Sequence, residues 1–368
     1  MIDRDELAAW LRLIETPGVG RDSARKLLAA FGSPQAVFDA SAAARGLVAG
    51  AAAATALVSE HDALAALVTI TLDWLHADAP EPRAVVTLGD VLYPRALLET
   101  ADPPLLLYAQ GNTELLQSDA VAVVGSRNPT RQGTDNARAF SAHLSRAGLT
   151  VVSGLALGID AAAHEGGLEG AASTGAVVGT GLDRVYPRAN LVLAHRIAER
   201  GLMLSEYALG TPPLPPNFPI RNRIIAGLSR GTLVVEAALQ SGSLITARLA
   251  LEAGRDVFAI PGSIHSPQAR GCHALIKQGA KLVDSAQDIL EELRLAPAQP
   301  PGASAGAAPG GRQDPLLAAL GFDPVALESL VARTGWPPSE LNARLLELEL
   351  DGRVARLPGQ LFQRIAQG

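Results

Sequence analysis

Five short segments of this chain place glycine and serine where an anion would be held. They are Gly125-Ser126-Arg127, Ser153-Gly154 with Leu155 to Gly158 behind it, Gly179-Thr180-Gly181, Ser241-Gly242-Ser243 and Pro261-Gly262. Each follows an apolar run. Glycine lets a backbone approach an anion closely, serine adds a hydroxyl, and the free N–H groups of a helix start complete a cradle. One such loop is tight-turn geometry and little more; five at one sheet edge indicate phosphate binding. Arg221 and Arg223 flank Asn222 just after a proline-rich loop, at an expected helix start. Phe218 offers either a face on which a base stacks or a plain plug under the loop. Arg127 and Arg221 are expected on opposite sides of one groove. There they would meet solvent and ligand, each binding a phosphate through two guanidinium N–H groups.

The elements that would bring these residues together are legible as alternation. Ala120–Val124, Leu149–Ser153, Ala176–Val178, Met203–Ser205, Thr232–Val235 and Asp256–Ile260 are short apolar runs suited to strands covered on both faces. Helical stretches such as Asp135–Ala147, Asn190–Arg200 and Leu244–Ala253 separate them. Strand–helix repetition predicts right-handed parallel crossovers, hence an α/β fold with a Rossmann-like, doubly wound, mostly parallel sheet. Val85–Leu88 and Leu105–Tyr108 would add edge strands. The dinucleotide fingerprint is absent: Gly125 is followed by Arg127 and Asn128, and the next glycine is Gly133. No cofactor is expected.

Composition narrows the class. Of 368 residues, 48% are hydrophobic, and the formal net charge is −6. That balance argues against an indiscriminate polycation of the histone kind. Two windows are nevertheless acid-free and basic. Between Glu206 and Glu236 lie Arg221, Arg223 and Arg230; between Asp256 and Asp284 lie Arg270, Lys277, Lys281 and two histidines. Cys272 stands alone, which excludes an internal disulfide and a multi-cysteine metal site. No signal peptide or membrane span is expected. The alanine-rich Gly46–Val68 stretch is interrupted by Glu60, His61 and Asp62 and reads as a buried helix pair. A cytoplasmic location is expected.

Four segments are expected. Residues 1–79 form a helical module of sterile-alpha-motif or helix-hairpin-helix type, and residues 80–296 the Rossmann-like domain. Residues 297–313, rich in Pro, Gly, Ala and Ser, form a flexible linker, and residues 314–368 a winged-helix-like module. In the first module Thr16-Pro17-Gly18-Val19-Gly20 has the glycine turn of a helix-hairpin-helix. Yet residues 1–79 carry ten acids against six bases, which favours a scaffold. In the last module Val325–Val331 and Ser339–Leu350 would be helices, and Arg353–Leu357 and Leu361–Ile365 wing strands around Pro358-Gly359. The second of these helices has Glu340, Glu347 and Glu349 against Arg344, which would repel duplex phosphates.

The runs VAVVGSRNPT, SGLALGIDAAAH, GTGLDRVYP, FPIRNRIIAGLS, VVEAALQSGSLITARLALEAGR and AIPGSIHSPQARGCHALIKQGA, in this order, resemble the DNA-processing protein A (DprA/Smf) family. The resemblance covers most of residues 83–295. It implies a bacterial protein that binds single-stranded DNA and loads the RecA recombinase during natural transformation. It also implies a homodimer through the central domain and no catalytic step. Matched by motif, DNA contacts would include Arg127, Phe218, Arg221 and His273, the last standing where the pattern has asparagine. The full set of expected contacts is Gly125, Ser126, Arg127, Ser153, Gly154, Phe218, Arg221, Asn222, Arg223, Ser241, Gly242, Ser243, Gly271, His273 and Lys277.

A second function class competes. Related Rossmann-like phosphoribohydrolases, which hydrolyse nucleoside monophosphates, carry P-G-G-x-G-T-x-x-E after a strand. Here the stretch is Ala238 to Thr246, with Thr246 in the place of the glutamate. Without that carboxylate the acid–base step has no partner. Glu236 and Glu206 are possible substitutes, or else they cap helices and order arginines. Asp160 and His164 are an acid–base or metal pair, or more simply a helix cap and a packed histidine.

Overall fold

The computed structural model describes residues 2–60, 62–294, 314–321, 324–357, 359 and 361–365. Two compact units emerge, Met1–Ala298 and Gln299–Gly368. The expected linker, 297–313, lies outside the described residues.

The first unit begins with six helices: α1 (Arg4–Glu15), α2 (Arg21–Phe31), α3 (Pro34–Asp39), α4 (Ala42–Ala49), α5 (Ala51–Ala56) and α6 (Leu64–His76). The α1–α2 turn holds Gly18 at φ +89°, a conformation that favours glycine. The Gly46–Val68 stretch differs from the expected buried pair. It is divided among α4, α5 and the start of α6, and Leu47 is 91% exposed. Among the described residues no helix is long and apolar enough to cross a membrane.

The sheet follows, through β1 (Arg83–Thr87), α7 (Arg95–Leu98), β2 (Leu106–Gly111), β3 (Ala120–Val124), α8 (Arg131–Arg146), β4 (Thr150–Ser153), α9 (Ile159–Gly167), β5 (Thr174–Val178), α10 (Leu191–Arg200), β6 (Leu202–Ser205), α11 (Asn217–Leu228), β7 (Gly231–Val234), α12 (Ser243–Glu252), β8 (Asp256–Ala259), α13 (Arg270–Lys277), β9 (Lys281–Leu282) and α14 (Ala286–Glu292). Its nine strands run in the order β1-β2-β6-β5-β4-β3-β7-β8-β9. From β6 to β9 all pairs are parallel, and β2 is antiparallel to both β6 and β1. Only β1 of the two expected edge strands is an edge. β2 is bonded on both sides, and its apolar side chains alternate between two cores, Leu107 and Ala109 in one and Leu106 and Tyr108 in the other.

Period-two alternation explains the layers. Along β3, Val121 and Val123 join one core with Ala137, Leu144 and Ile159, while Ala120, Ala122 and Val124 join the opposite core with Ile224, Ile225 and Ala247. Both faces are thus covered, as parallel sheets require. The chain winds outward from β3 to β6 in one direction, then restarts with β7 on the other side of β3. That restart is the topological switch point, where loops at the strand carboxyl ends diverge and leave a crevice.

The N-terminal helices share a core with this sheet: Leu7, Leu11 and Leu27 pack in one cluster with Val85, Leu105 and Tyr108. Arg21 contacts Asp102 at 2.9 Å and Arg25 also pairs with it, while Arg223 bridges Asp102 at 2.7 Å and bonds Glu206. Burial alone would raise the Asp102 carboxyl, but Arg223 and Arg21 hold it down at about 2.

The second unit contains α15 (Pro315–Leu320), β10 (Val325–Ala326), α16 (Leu327–Thr334), α17 (Pro338–Leu350), β11 (Val354–Leu357) and β12 (Leu361–Arg364), with a three-stranded sheet ordered β10-β12-β11. Leu316, Leu330, Leu341, Leu345 and Phe362 form its core. The expected helix at Val325–Val331 starts later, because its first two residues pair with β12 instead. On α17, Arg344 is engaged by Asp314 at 2.8 Å and by Glu347 at 2.5 Å, so the helix presents no free cation to offset its acids.

Candidate nucleic-acid interface

A crevice of about 610 Å³ opens at the switch point, between the carboxyl ends of β3 and β7. Gly125 to Asn128 form one wall, Ala238 and Gln240 to Ser243 another, and Phe218, Arg221 and Asn222 of α11 a third. Gly125 is required by close approach: a Cβ there would lie 2.7 Å from Ile159 and 2.9 Å from the Glu236 carbonyl. The adjoining peptide is tied down, with Ser126 N–H donating to Glu236 O at 2.8 Å and Asn128 N–H to Ser126 Oγ at 3.1 Å. Gln268 Nε2 donates to Asn128 O at 3.1 Å, a support that sequence reasoning missed although Gln268 lies within one of the quoted motifs. The result is a rigid loop that presents an exposed Arg127 to the crevice.

Arg221 lies in the same crevice wall, but it departs from the expectation. It is only 4% exposed, and its Nη1 donates to the carbonyls of Gly154, at 2.5 Å, and Val177. The Gly154 peptide is engaged at both ends, because its N–H donates to Asp160 Oδ2 at 3.2 Å. Arg221 and Asp160 are therefore both buried and linked through one residue, Gly154. Burial pulls the Arg221 guanidinium down to about 10, with Asp160 resisting and Arg127 adding to the fall. Burial likewise raises the Asp160 carboxyl, against Arg221 and the amides of Ala156 and Gly154. The reason is helical phase: Asn217, Arg221, Ile224 and Leu228 share the buried stripe of α11, whereas Phe218 and Asn222 lie on the neighbouring, partly exposed stripe.

Several other expected contacts are likewise committed internally. Ser153 is fully buried, its hydroxyl donating to Val123 O at 2.7 Å. Gly154 lies against the Arg221 guanidinium, which leaves no space for a Cβ. Arg223 belongs to the ion network with Asp102 and Glu206, away from the crevice lining. Gly271 is a packing glycine: it is buried, with its N–H on Ala237 O at 2.7 Å. His273 Nε2 pairs with Gly262 O at 2.9 Å, which implies a donating ring nitrogen, and Lys277 is exposed at the far end of α13; neither lines the crevice. Gly125, Ser126, Arg127, Phe218, Asn222, Ser241, Gly242 and Ser243 do line it, and Ser241 and Ser243 share a hydroxyl bond of 2.7 Å.

One of the expected anion cradles, Ser153 to Gly158, and the N-cap of α8 are occupied by the protein's own carboxylates. Asp160 accepts from the N–H groups of Gly154 and Ala156, at 3.2 and 3.3 Å. Glu236 accepts from Thr130 N–H at 2.9 Å and Thr130 Oγ1 at 2.5 Å, at the start of α8. Carboxylates at helix N-termini are stabilised by the same dipole that would hold a phosphate. Glu206 is similarly committed to Arg223. His164 is a packed histidine. Leu155 N–H donates to its Nε2 at 3.2 Å, so its Nδ1–H donates to Thr174 Oγ1 at 2.7 Å, and that hydroxyl donates to Val151 O at 2.6 Å. Burial, helped by Arg221, lowers its pKa to about 3, so the ring is neutral. Among the described residues no His/Cys/Asp/Glu group has metal-site geometry. Thr246 is buried in the crevice wall where a glutamate would be needed for glycosidic chemistry.

Comparisons with known proteins agree with this architecture. Residues 84–294 match the model of DNA recombination-mediator protein A, and residues 296–360 match the DprA winged helix domain. Protein Smf of Escherichia coli is 45% identical over 275 residues, covering 73% of this chain and 74% of that protein. DNA processing protein DprA of Streptococcus pneumoniae is 53% identical over 206 residues, covering 56% of this chain and 73% of its own. An X-ray structure of DprA from Streptococcus pneumoniae superposes with a TM-score of 0.66 at 40% identity, spanning 79% of this chain and 98% of that one. A DprA structure from Helicobacter pylori, described for its single-stranded DNA binding mode, has a TM-score of 0.52 at 31% identity and spans 58% of this chain and 95% of its own. The fold, the winged helix and these matches together assign the chain to the DNA recombination-mediator protein A family.

Proposed function

We propose that this protein binds single-stranded DNA in the switch-point crevice and delivers it to the RecA recombinase during DNA uptake and homologous recombination. It would act as a cytoplasmic homodimer joined through the central domain. The observation that carries the reading is the convergence of exposed Arg127, half-buried Phe218 and the Ser241–Ser243 hydroxyls on one open crevice. That combination of a guanidinium for phosphate, a ring for a base and neutral donors suits a sequence-tolerant single strand. The single-stranded DNA bound by the Helicobacter pylori relative supports it. The competing hydrolase reading needs a carboxylate free to act on a glycosidic bond, and Asp160, Glu206 and Glu236 are each engaged in structural bonds.

The test is a titration of labelled oligothymidine and a matched duplex at several salt concentrations. The single strand is expected to bind more tightly than the duplex. The logarithm of affinity is expected to fall against log salt with a slope of roughly −0.7 per phosphate neutralised. A flat salt response, or release of base from nucleotides in a parallel assay, would refute the reading. RecA delivery is tested by whether the protein speeds filament assembly on strands coated with single-strand-binding protein.

A further inference from the structure

Tyr186 has no role in the crevice as described, yet it is 49% exposed. It sits in the loop between β5 and α10, and its ring lies 5.5 Å from that of Phe218 with the planes tilted by 40°. Phe218 is the aromatic member of the crevice wall, while Tyr186 lies beyond the lining. Behind Phe218 the backbone of Gly179 comes so close that a Cβ there would stand 3.1 Å from the ring. The Arg221 guanidinium lies 6.0 Å from the Phe218 ring centre. Phe218 is therefore backed on the protein side, and Tyr186 extends its surface outward. Tyr186 has exposed Arg184 and Arg188 on either side in sequence, Arg184 being 3.5 Å from Asp183.

A base sandwiched between two rings would need them roughly 7 Å apart, twice the van der Waals contact distance. At 5.5 Å the rings already touch, so a base must stack on an outer face. We propose that Tyr186 and Phe218 form a two-ring stacking platform at the mouth of the crevice. One base of a single strand meets the crevice side of Phe218, and the neighbouring base stacks on the open face of Tyr186. This rests on the single-strand reading and adds a subsite to it, one that takes any nucleobase because every base has a π face. It predicts that part of the affinity depends on the presence of a base and not on its identity.

The experiment compares the full-length wild-type protein with Tyr186→Ala and Tyr186→Phe, on oligothymidine and on an abasic strand of equal length and charge. Tyr186→Ala is expected to weaken oligothymidine binding at least about fivefold, the low end of the range for one stacked base. Tyr186→Phe is expected to bind within about twofold of wild type. On the abasic strand the three proteins should bind alike. Thermal melts confirm that each variant is folded. An unchanged oligothymidine affinity in Tyr186→Ala overturns the platform, as does an equal loss on both strands. Either leaves the crevice reading intact, because wild-type binding and its salt dependence are measured in the same titrations. Failure of the wild-type protein to bind oligothymidine overturns both.

Discussion

Replacing Arg221 by alanine separates architecture from binding. The side chain supplies positive charge opposite Asp160, on the other side of Gly154, and fills two carbonyl acceptors, Gly154 O and Val177 O, at a position 4% exposed. Removing one partner of a buried charge pair leaves the other uncompensated, at about 3–5 kcal/mol. A bonded carbonyl left empty adds to this in the same direction. For a domain of this size each kcal/mol lowers the melting temperature by roughly 2–4 °C, so Arg221→Ala should lose about 6–20 °C. Lysine should rescue little, because its side chain ends one bond short of the Nη1 atom that meets both carbonyls. Asp160→Asn with Arg221→Met should recover part of the loss, since removing both charges removes the unpaired one. Melts followed by circular dichroism, alongside oligothymidine titration of the folded fraction, measure both quantities. A variant that melts like wild type yet no longer binds the strand would refute the assignment of Arg221 to the scaffold.

Arg127→Ala should do the reverse, weakening single-strand binding by roughly 1–3 kcal/mol with an unchanged melt, and Arg127→Lys should recover only part; a clear fall in melting temperature would mean that the guanidinium braces its loop. His164 is held neutral with a folded pKa near 3, below its unfolded value, so the stability it contributes is full above about pH 6.5 and is lost as pH falls toward 3. The expected slope is about 1.4 kcal/mol per pH unit across that window, and it should flatten in His164→Gln; an identical pH profile in the variant would disprove the attribution. Removing residues 314–368, which belong to the separate compact second unit, should leave most single-strand affinity in place, and loss of nearly all binding by a folded truncation would contradict this.

How much of this was legible from residues alone depended on which period decided the question. Strands β3 to β8 were visible because short, mostly apolar runs of three to five residues between helical stretches have one favourable fate, a strand covered on both faces. The two-residue strand β9 was too short for any pattern. The reversed direction of β2 is set by its pairing with β6, which no local signal encodes. Within the site, glycine and serine loops pointed to the sheet edge where the crevice opens, and Arg127 is exposed there as expected. Arg221 was misjudged because its type was read without its phase. Its spacing to Asn217, Ile224 and Leu228 follows the inner stripe of a helix, and that signal was present in the sequence. Arg223 could not have been settled in this way, since its partners Asp102 and Glu206 come from distant segments.

The two internal carboxylates bear on why this scaffold suits a strand better than a mononucleotide. A Rossmann-like site for a small phosphate concentrates its affinity in one cradle of amides at a helix start. Here Asp160 takes up the amides of Gly154 and Ala156 in the loop before α9, and Glu236 that of Thr130 at the N-cap of α8, so a single phosphate would meet carboxyl groups where the fold ordinarily attracts it. What remains for a ligand lies toward the rim: Arg127, Asn222, Phe218 and the hydroxyls of Ser241 and Ser243. Each of these contacts is modest by itself, since exposed ionic contacts and neutral hydrogen bonds contribute about 1 kcal/mol. A polymer gains by making many of them on one molecule, whereas a free nucleotide makes only the few within its reach. On the proposed reading, commitment of the carboxylates to the scaffold takes up the candidate catalytic groups and the tightest small-anion positions together, and the open rim would serve as a sequence-tolerant track.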